Sequence, residues 1–284
     1  MKKILIITIL LLEISLFLYS KEITEEFKIT INICLYSLMP TMFFSILLSN
    51  LLKLNNFYIP KTISNLFYKV FNISKENLSI LFLSLISGYP NNIKLLKDSD
   101  NEYFNYVTNF VNPIFFIGTV YNLYLKDIKV TIIILISHYI STFILLYILK
   151  NKYISSNITK NNYSLSETYF ISIKNTINTL SIIFSNLLFI SLLITLLKLL
   201  FKNNFLFIGL IEFSKGIYEV SLTNINIYIK GLLILIFITF GSISIHFQAI
   251  SINNKIKYIK YLFYRILNVF ISIIIYLLLY KIYK

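Results

Sequence analysis

The sequence predicts an all-α polytopic membrane protein. About eight membrane-embedded helices fall in two related halves, with broken or re-entrant helices and two interfacial amphipathic helices. Three observations carry that expectation. Hydrophobic residues make up 57% of the chain and charged residues 13%, against about 25% charged in a soluble domain. With a mean hydropathy of +0.77, the chain has too little polar surface to coat a water-facing globule. Charge-free apolar windows recur along the chain at close to the roughly 20 residues that cross a hydrocarbon core. No segment shows the alternation over about ten residues that a membrane β-strand needs.

The first window, Ile4–Ser20, lies between Lys2-Lys3 and Lys21. A secretory signal shares this pattern, but Leu18-Tyr19-Ser20 lacks a small-x-small cleavage site. The segment therefore reads as an uncleaved helix, despite Glu13. Windows follow at Ile29–Leu52, Asn77–Ile93, Tyr103–Leu125 and Val130–Leu149. The polar stretch Lys150–Glu167 has no strong periodicity and marks the best boundary. Beyond it lie Asn175–Leu197, Gly231–Asn254 and Tyr261–Tyr280. The predicted organisation is an N-terminal helix with its connector over 1–28, a first half over 29–150, a linker over 151–171 and a second half over 172–284.

Two shorter segments have helical periodicity with polar opposite faces. In Tyr58–Asn72, Ile59, Ile63, Leu66, Phe67, Val70 and Phe71 oppose Lys61, Asn65 and Lys69. In Phe205–Val220, Ile208 and Ile211 face away from Glu212, Lys215 and Glu219. Both read as helices lying in the membrane interface, with ordinary connecting loops as the alternative. The elements also recur in order. Lys28-Ile29-Thr30-Ile31-Asn32 matches Lys174-Asn175-Thr176-Ile177-Asn178, and each opens a long apolar helix. An amphipathic segment and a break at Gly follow in each half, Ile86-Ser87-Gly88 in one and Thr239-Phe240-Gly241 in the other. Duplicated, interrupted helices point to a transporter-type site near the bilayer midplane.

Lys and Arg number 26 against 12 acids, a net charge of +14. The basic residues punctuate apolar runs instead of clustering on one face, so they read as anchors near anionic lipid and not as a nucleic-acid surface. Lysines occupy nearly every loop, which leaves a shallow orientation signal; Lys2-Lys3 favours a cytoplasmic N-terminus. Cys34 is the only cysteine, forms no intrachain disulfide, and suits packing. No metal-ligand cluster, phosphate loop or nucleophile elbow is present, so neither an enzyme nor a metal or other cofactor is expected. Enrichment in Lys, Asn and Ile is what an AT-rich coding sequence produces. The rare residues, six Gly, four Pro, two His and one Arg, therefore carry more information.

Those rare residues sit beside polar groups inside apolar runs. Gly88 and Pro90 weaken a helix where Tyr89, Asn91 and Asn92 offer hydrogen bonds. Either the helix re-enters to line a site, or it ends there and Asn91-Asn92 begins a loop. Asn109 and Asn112, spaced to share a helix face, precede Pro113, which would free the carbonyl of Asn109. This group suits a neutral polar ligand, a cation, or a bond between helices. Gly241, Ser242, Ser244, His246 and Gln248 place hydrogen-bonding groups together in a charge-free window. His246 could bind a ligand, carry a proton or be structural. His138 reads as structural. Arg265 could pair with Glu212 or Glu219, or extend to the interface.

The ordered motifs Ser87-Gly88-Tyr89-Pro90, Asn112-Pro113-Ile114-Phe115-Phe116-Ile117-Gly118, Ser137-His138-Tyr139, Glu212-Phe213-Ser214-Lys215-Gly216 and Phe240–Gln248, with Arg265 beyond, resemble the sporulation integral membrane proteins of the YlbJ type. That group belongs to a wider set described as carrying a nucleoside-recognition or Gate domain. The resemblance spans residues 30 to about 275. It departs from the family at Asn92, where a glycine is usual, and at Gly241-Ser242, where Gly-Gly is usual. It implies a role in endospore formation, in a bacterial cell or forespore membrane, and kinship with nucleoside permeases. The implied partners are the bilayer, a small polar solute, and a second copy of the chain or another sporulation membrane protein. The expected function is a permease-like carrier whose site uses the residues of the two breaks. The alternative is a membrane scaffold that transports nothing.

Overall fold

The computed structural model describes residues 2–97, 102–152, 162–201 and 204–283, and every regular element among them is helical. Helix α1 (Lys2–Leu18) turns apolar side chains such as Leu11 and Phe17 outward, as a lipid-facing helix does. Helix α2 (Ser20–Asn32), a π-helical stretch (Ile33–Leu38) and α3 (Met39–Leu54) form one rod from Ser20 to Leu54. The π turns precede Pro40, whose ring would clash with the carbonyl of Tyr36 in an unbroken α-helix. The predicted boundary at 28–29 falls inside this rod, because Glu22, Glu25, Glu26 and Lys28 are good helix formers and carry the helix through the polar stretch.

Helix α4 (Lys61–Phe71) lies on the surface with only Ser64 buried. Its Phe67 and Phe71 stack on each other and meet Phe143. Then come α5 (Lys75–Ser87), α6 (Asn91–Leu96), α7 (Glu102–Val107), and α8 (Pro113–Phe115) continuing into π-helical Phe116–Leu125. Helix α9 (Ile128–Ile148) precedes α10 (Leu165–Phe201). The predicted linker 151–171 is thus partly helix. Ser164 and Glu167 form a capping box, Ser164 N–H donating to Glu167 (2.8 Å) and Glu167 N–H to Ser164 Oγ (3.3 Å). Residues 153–161 of that linker lie outside the described residues. The remaining elements are α11 (Phe205–Ile211), α12 (Phe213–Leu222), α13 (Ile227–Phe240), α14 (Ser242–Ile252) and α15 (Tyr258–Tyr283). Five helical spans, Ser20–Leu54, Ile128–Ile148, Leu165–Leu199, Ile227–Ile252 and Tyr258–Ile282, are long and apolar enough to cross a bilayer.

Cross-contacts fix the direction of each element. The side where α9 ends and α10 begins is termed the near side, and the opposite one the far side. Asn50 donates to Thr176 (3.2 Å) while Glu26 reaches Lys198 (2.8 Å), so the α2–α3 rod and α10 are antiparallel. Helix α5 enters from the near side and ends level with the middle of α3, where Asn112 joins the Ser87 carbonyl (3.3 Å) to Ser45 (2.5 Å). Helix α6 then returns along α3 and α10, with Asn91 on Ser49 (3.2 Å) and Lys94 on the Asn175 carbonyl (3.4 Å). The two form a re-entrant hairpin with Gly88-Tyr89-Pro90 at its tip, where the Tyr89–Pro90 bond is cis.

Helices α11 and α12 form a second hairpin from the far side. Its tip is Glu212, a single extended residue (φ −144°, ψ 114°) between two helices. Glu219, near the end of α12, comes back to Lys198 of α10 (2.6 Å). Gly209 and Gly216 let the two arms touch, since a Cβ on Gly216 would overlap the Cα of Gly209. The tips meet, the rings of Tyr89 and Phe213 packing edge-on at 5.2 Å. Phe213–Val220 is therefore not the water-facing side of an interfacial helix: Glu212 and Lys215 are buried against protein.

Two broken helices cross beside the hairpins. One runs from α7 to Leu125, near to far, interrupted over 108–112; the other runs from α13 to α14, far to near, interrupted at Gly241-Ser242 (φ 84° and 44°). Helix α15 returns from Arg265, at the end of α7, to Tyr276, which donates to the Tyr228 carbonyl (2.9 Å) at the start of α13. Each half reads rod, hairpin, broken helix, rod, and the second runs opposite to the first. This corrects the pairing of Gly88 with Gly241. The counterpart of the Gly88 tip is Glu212, and the counterpart of Gly241 is 108–112. The second tip contains neither Gly nor Pro, so its turn left no mark of the kind used to align the halves.

Candidate functional site

A freed backbone group inside a bilayer must find a partner in protein or water. Around 108–112 the partners are side chains from distant elements and one backbone amide of the first hairpin tip. Arg265 Nη2 donates to the carbonyls of Tyr106 (2.8 Å) and Val107 (2.7 Å), the exposed end of α7. Asn92 Nδ2 donates to the Thr108 carbonyl. The Phe110 carbonyl accepts from Tyr89 N–H (3.0 Å), which ties the hairpin tip to the break. Val111 N–H donates to His138 Nε2 (3.1 Å), and the Val111 carbonyl accepts from the Tyr139 hydroxyl (3.0 Å). Asn112 caps α8 by accepting from the amides of Ile114 (2.8 Å) and Phe115 (3.2 Å), with Pro113 in the first turn where its missing N–H costs nothing.

His138 is the most connected of these residues. Because Nε2 accepts, the ring proton sits on Nδ1, which donates to Thr239 Oγ1 (3.0 Å). One imidazole therefore joins the first break to the last turn before the second. At the second break it is His246 that meets the backbone: its Nε2–H donates to the Phe240 carbonyl (2.9 Å), leaving Nδ1 without a partner. Ser242 and Ser244 bond each other (3.0 Å).

Beyond these bonds, polar side-chain capacity remains unused. Both amide atoms of Asn109, the hydroxyls of Tyr89 and Tyr261, the side-chain carbonyls of Asn91, Asn92 and Gln248, and Nε and Nη1 of Arg265 are buried without a protein partner. Buried groups of this kind are ordinarily paired, so their concentration around the two breaks marks a place for water or solute. Asn109 faces Gly241 so closely that a Cβ there would stand 2.5 Å from its Nδ2. Tyr89, Pro90, Glu212, Phe213 and Gln248 line an inner cavity of ≈ 10 Å³ between the tips, room for about one water molecule. On the near side a vestibule of ≈ 730 Å³ opens between α3, α6, α10 and α14. Pro90 borders both spaces, so the first hairpin tip separates them.

The structure gathers Gly88, Tyr89, Pro90, Asn91, Asn92, Asn109, Asn112, Gly241, Ser242, Ser244, His246 and Gln248 around the breaks and tips. Three expectations change. Asn109 and Asn112 do not share a helix face, because 108–112 is unwound; Asn112 is a cap and Asn109 points elsewhere. Pro113 serves helix initiation. Arg265 and Glu212 form no ion pair. Arg265 holds carbonyls and lies over the Tyr261 ring (5.6 Å), while Glu212 caps α12 through Ser214 Oγ (2.6 Å) and Lys215 N–H (2.8 Å). Sequence reasoning missed a charged cluster at the base of the second hairpin. Lys215 pairs with Glu26, and Lys198 bridges Glu26 (2.8 Å) and Glu219 (2.6 Å). Its clearest signal was Lys198, a lone charge in the apolar run of α10; Glu26 lies in a stretch already rich in charge. Among the described residues no group of His, Cys, Asp or Glu could hold a metal ion.

No protein-family model, curated protein or solved structure matches the chain.

Proposed function

We propose that the protein is a permease-like carrier of a small polar, nucleoside-like solute. The observation that carries this reading is the group of unpartnered buried polar atoms at two opposed hairpin tips and two helix breaks, reached from one side by a vestibule that ends at Pro90. A rigid packing core has no use for such atoms, each of which loses hydrogen bonds on burial. Inverted repeats with interrupted helices supply a site accessible alternately from either side. The resemblance to YlbJ-type sporulation proteins supports placing the carrier in endospore formation. The test is a ligand-stabilisation screen of the purified chain in nanodiscs, with nucleosides, nucleobases and other small polar solutes and the ions varied together. A saturable rise in unfolding temperature that is lost in Asn109→Ala and Gln248→Ala is expected. No stabilisation by any solute, and no uptake into vesicles, overturns it.

A scaffold role is favoured by one observation: the backbone at both breaks is held by the protein's own side chains. Normal spore yield with His246→Ala and Gln248→Ala at intact protein levels supports the scaffold, whereas lost yield supports the site.

A further inference from the structure

Two basic residues are buried among those described, Lys215 and Arg265. Lys215 pairs with Glu26, whereas the guanidinium of Arg265 bonds no acid. Its donors are all accounted for. Nη2 makes two bonds, to the carbonyls of Tyr106 and Val107, while Nε and Nη1, which carry the other three N–H groups, bond nothing. A guanidinium only donates and stays charged. Idle N–H groups on a charge inside a bilayer-embedded core therefore call for an acceptor that also brings negative charge.

Two further donors stand beside it. The hydroxyls of Tyr261 and Tyr89 are buried without a partner, and the charge of Arg265 acts on both. Tyr261 is one turn before Arg265 on α15, with the guanidinium 5.6 Å over its ring. Tyr89 is at the tip of the first hairpin. Gln248, which lines the inner cavity with Tyr89, keeps its side-chain carbonyl free for an N–H or O–H group. Helix α6 closes the group off. Its Ile93 belongs to the same buried cluster as Tyr106, Ala249 and Tyr261, while Lys94 and Leu95, with Pro90 before them, line the vestibule. The returning arm of the first hairpin is thus the wall between the vestibule and Arg265.

We propose that Arg265 is the anion-binding residue of the carrier, its Nε–H and Nη1–H groups holding a carboxylate or phosphate of the solute with the hydroxyls of Tyr261 and Tyr89. The inference rests on the carrier reading and narrows it: the solute bears a negatively charged oxygen, which reaches Arg265 when the first hairpin is displaced.

The experiment uses the full chain in neutral phosphatidylcholine nanodiscs at constant ionic strength, titrated with inorganic phosphate, acetate and, as the control, chloride. Tyr261→Phe and Tyr89→Phe keep their rings and lose no side-chain hydrogen bond within the protein, so both should fold. Arg265→Gln removes the charge and keeps an amide donor for the α7 carbonyls. A saturable rise in unfolding temperature with phosphate or acetate is expected in the wild type. Its affinity should be about five-fold weaker in either Phe variant, as loss of one hydrogen bond implies, and the effect should vanish in Arg265→Gln. If Arg265→Gln fails to fold, the two Phe variants decide. No anion effect in the wild type means that water alone solvates Arg265 and overturns the site. Unchanged affinity in folded Arg265→Gln or in both Phe variants overturns it too, as does chloride acting as strongly as phosphate. Binding of a neutral solute without any anion effect would leave the carrier standing and remove the anion site. Anion binding without uptake of any solute would do the reverse.

Discussion

Gly88→Ala tests the geometry of the first hairpin tip directly. Gly88 has φ 67° and ψ −177°, a region open in practice only to glycine. Confining an alanine there costs about 1–3 kcal/mol. A Cβ would also lie 2.5 Å from the amide nitrogen of Asn112 and 2.8 Å from its Cα. These are backbone atoms of a segment pinned by His138, Tyr139 and the α8 cap, so relief requires moving the break itself, an overpacking cost of about 1–3 kcal/mol more. The expected loss is therefore about 2–6 kcal/mol from the two causes together. Gly118→Ala is the comparison. Its Cβ would meet the Thr41 side chain and no backbone, the methyl at 2.8 Å, so a side-chain shift relieves the contact where Gly88→Ala must move backbone. Helix propensity returns up to about 1 kcal/mol there, so a smaller loss than at Gly88 is expected. Unfolding of both variants in mixed micelles, followed by circular dichroism, measures the difference. If Gly88→Ala lies within about 0.5 kcal/mol of wild type, where ordinary surface substitutions fall, the strained tip is wrong. If Gly88→Ala fails to accumulate while Gly118→Ala does, the cost lies at the upper end.

Three further outcomes follow from single contacts. His138→Ala removes the partner of both Val111 N–H and Thr239, and should cost about 2–6 kcal/mol in the same unfolding measurement, since each buried orphan is worth about 1–3; Gln at that position should recover part of it. Glu26→Gln leaves Lys215 without an acid within pairing distance and should destabilise by about 3 kcal/mol or more, whereas Lys215→Met, which leaves Glu26 paired with Lys198, should cost less; equal losses would show that the cluster is not shared as drawn. Ser242→Gly should stabilise by about 1 kcal/mol, because Ser242 holds φ 44° where a side chain is strained. A loss in that variant would mean that the bond to Ser244 outweighs the strain.

Much of the fold was legible because the bilayer restricts the options. Apolar windows found every long helix, and Gly88, Pro90, Asn112-Pro113 and Gly241 all fall at real interruptions. What stayed hidden was whether the chain turns back at a break or passes through it. Gly88 and Gly241 look alike in sequence, yet the first is a hairpin tip and the second a kink in a crossing helix. The difference lies in contacts at long sequence separation, such as Lys94 with Asn175 and Glu219 with Lys198. Glu212 was hidden for another reason. Its turn uses one extended residue and an N-cap, and a single Glu in a polar-faced helix carries no such label. Two polar residues at the breaks also take on a role only in three dimensions: Asn92 supplies a donor to the Thr108 carbonyl, and Ser242 holds a left-handed conformation.

The distribution of bonds separates fixed parts from parts with freedom to move. The first break is held by α9 through His138 and Tyr139 and by α15 through Arg265, and His138 also holds the second through Thr239. Each half thus braces the break of the other, so shifting either broken helix disrupts several buried bonds at once. The first hairpin is attached differently. Its tip and returning arm are tied by neutral bonds of Tyr89 N–H, Asn91 and Asn92 and by two long bonds from Lys94 to neutral oxygens (3.4 and 3.5 Å), with no ion pair to a described residue, and it borders the open vestibule. The second hairpin is tied to both long rods by the charged cluster of Glu26, Lys198, Lys215 and Glu219. Neutral bonds of this kind contribute about 1 kcal/mol each, and separating a buried charge pair costs about 3–5 kcal/mol. The cheaper displacement is therefore that of the first hairpin, on the near side, about the Gly88 and Pro90 at its tip.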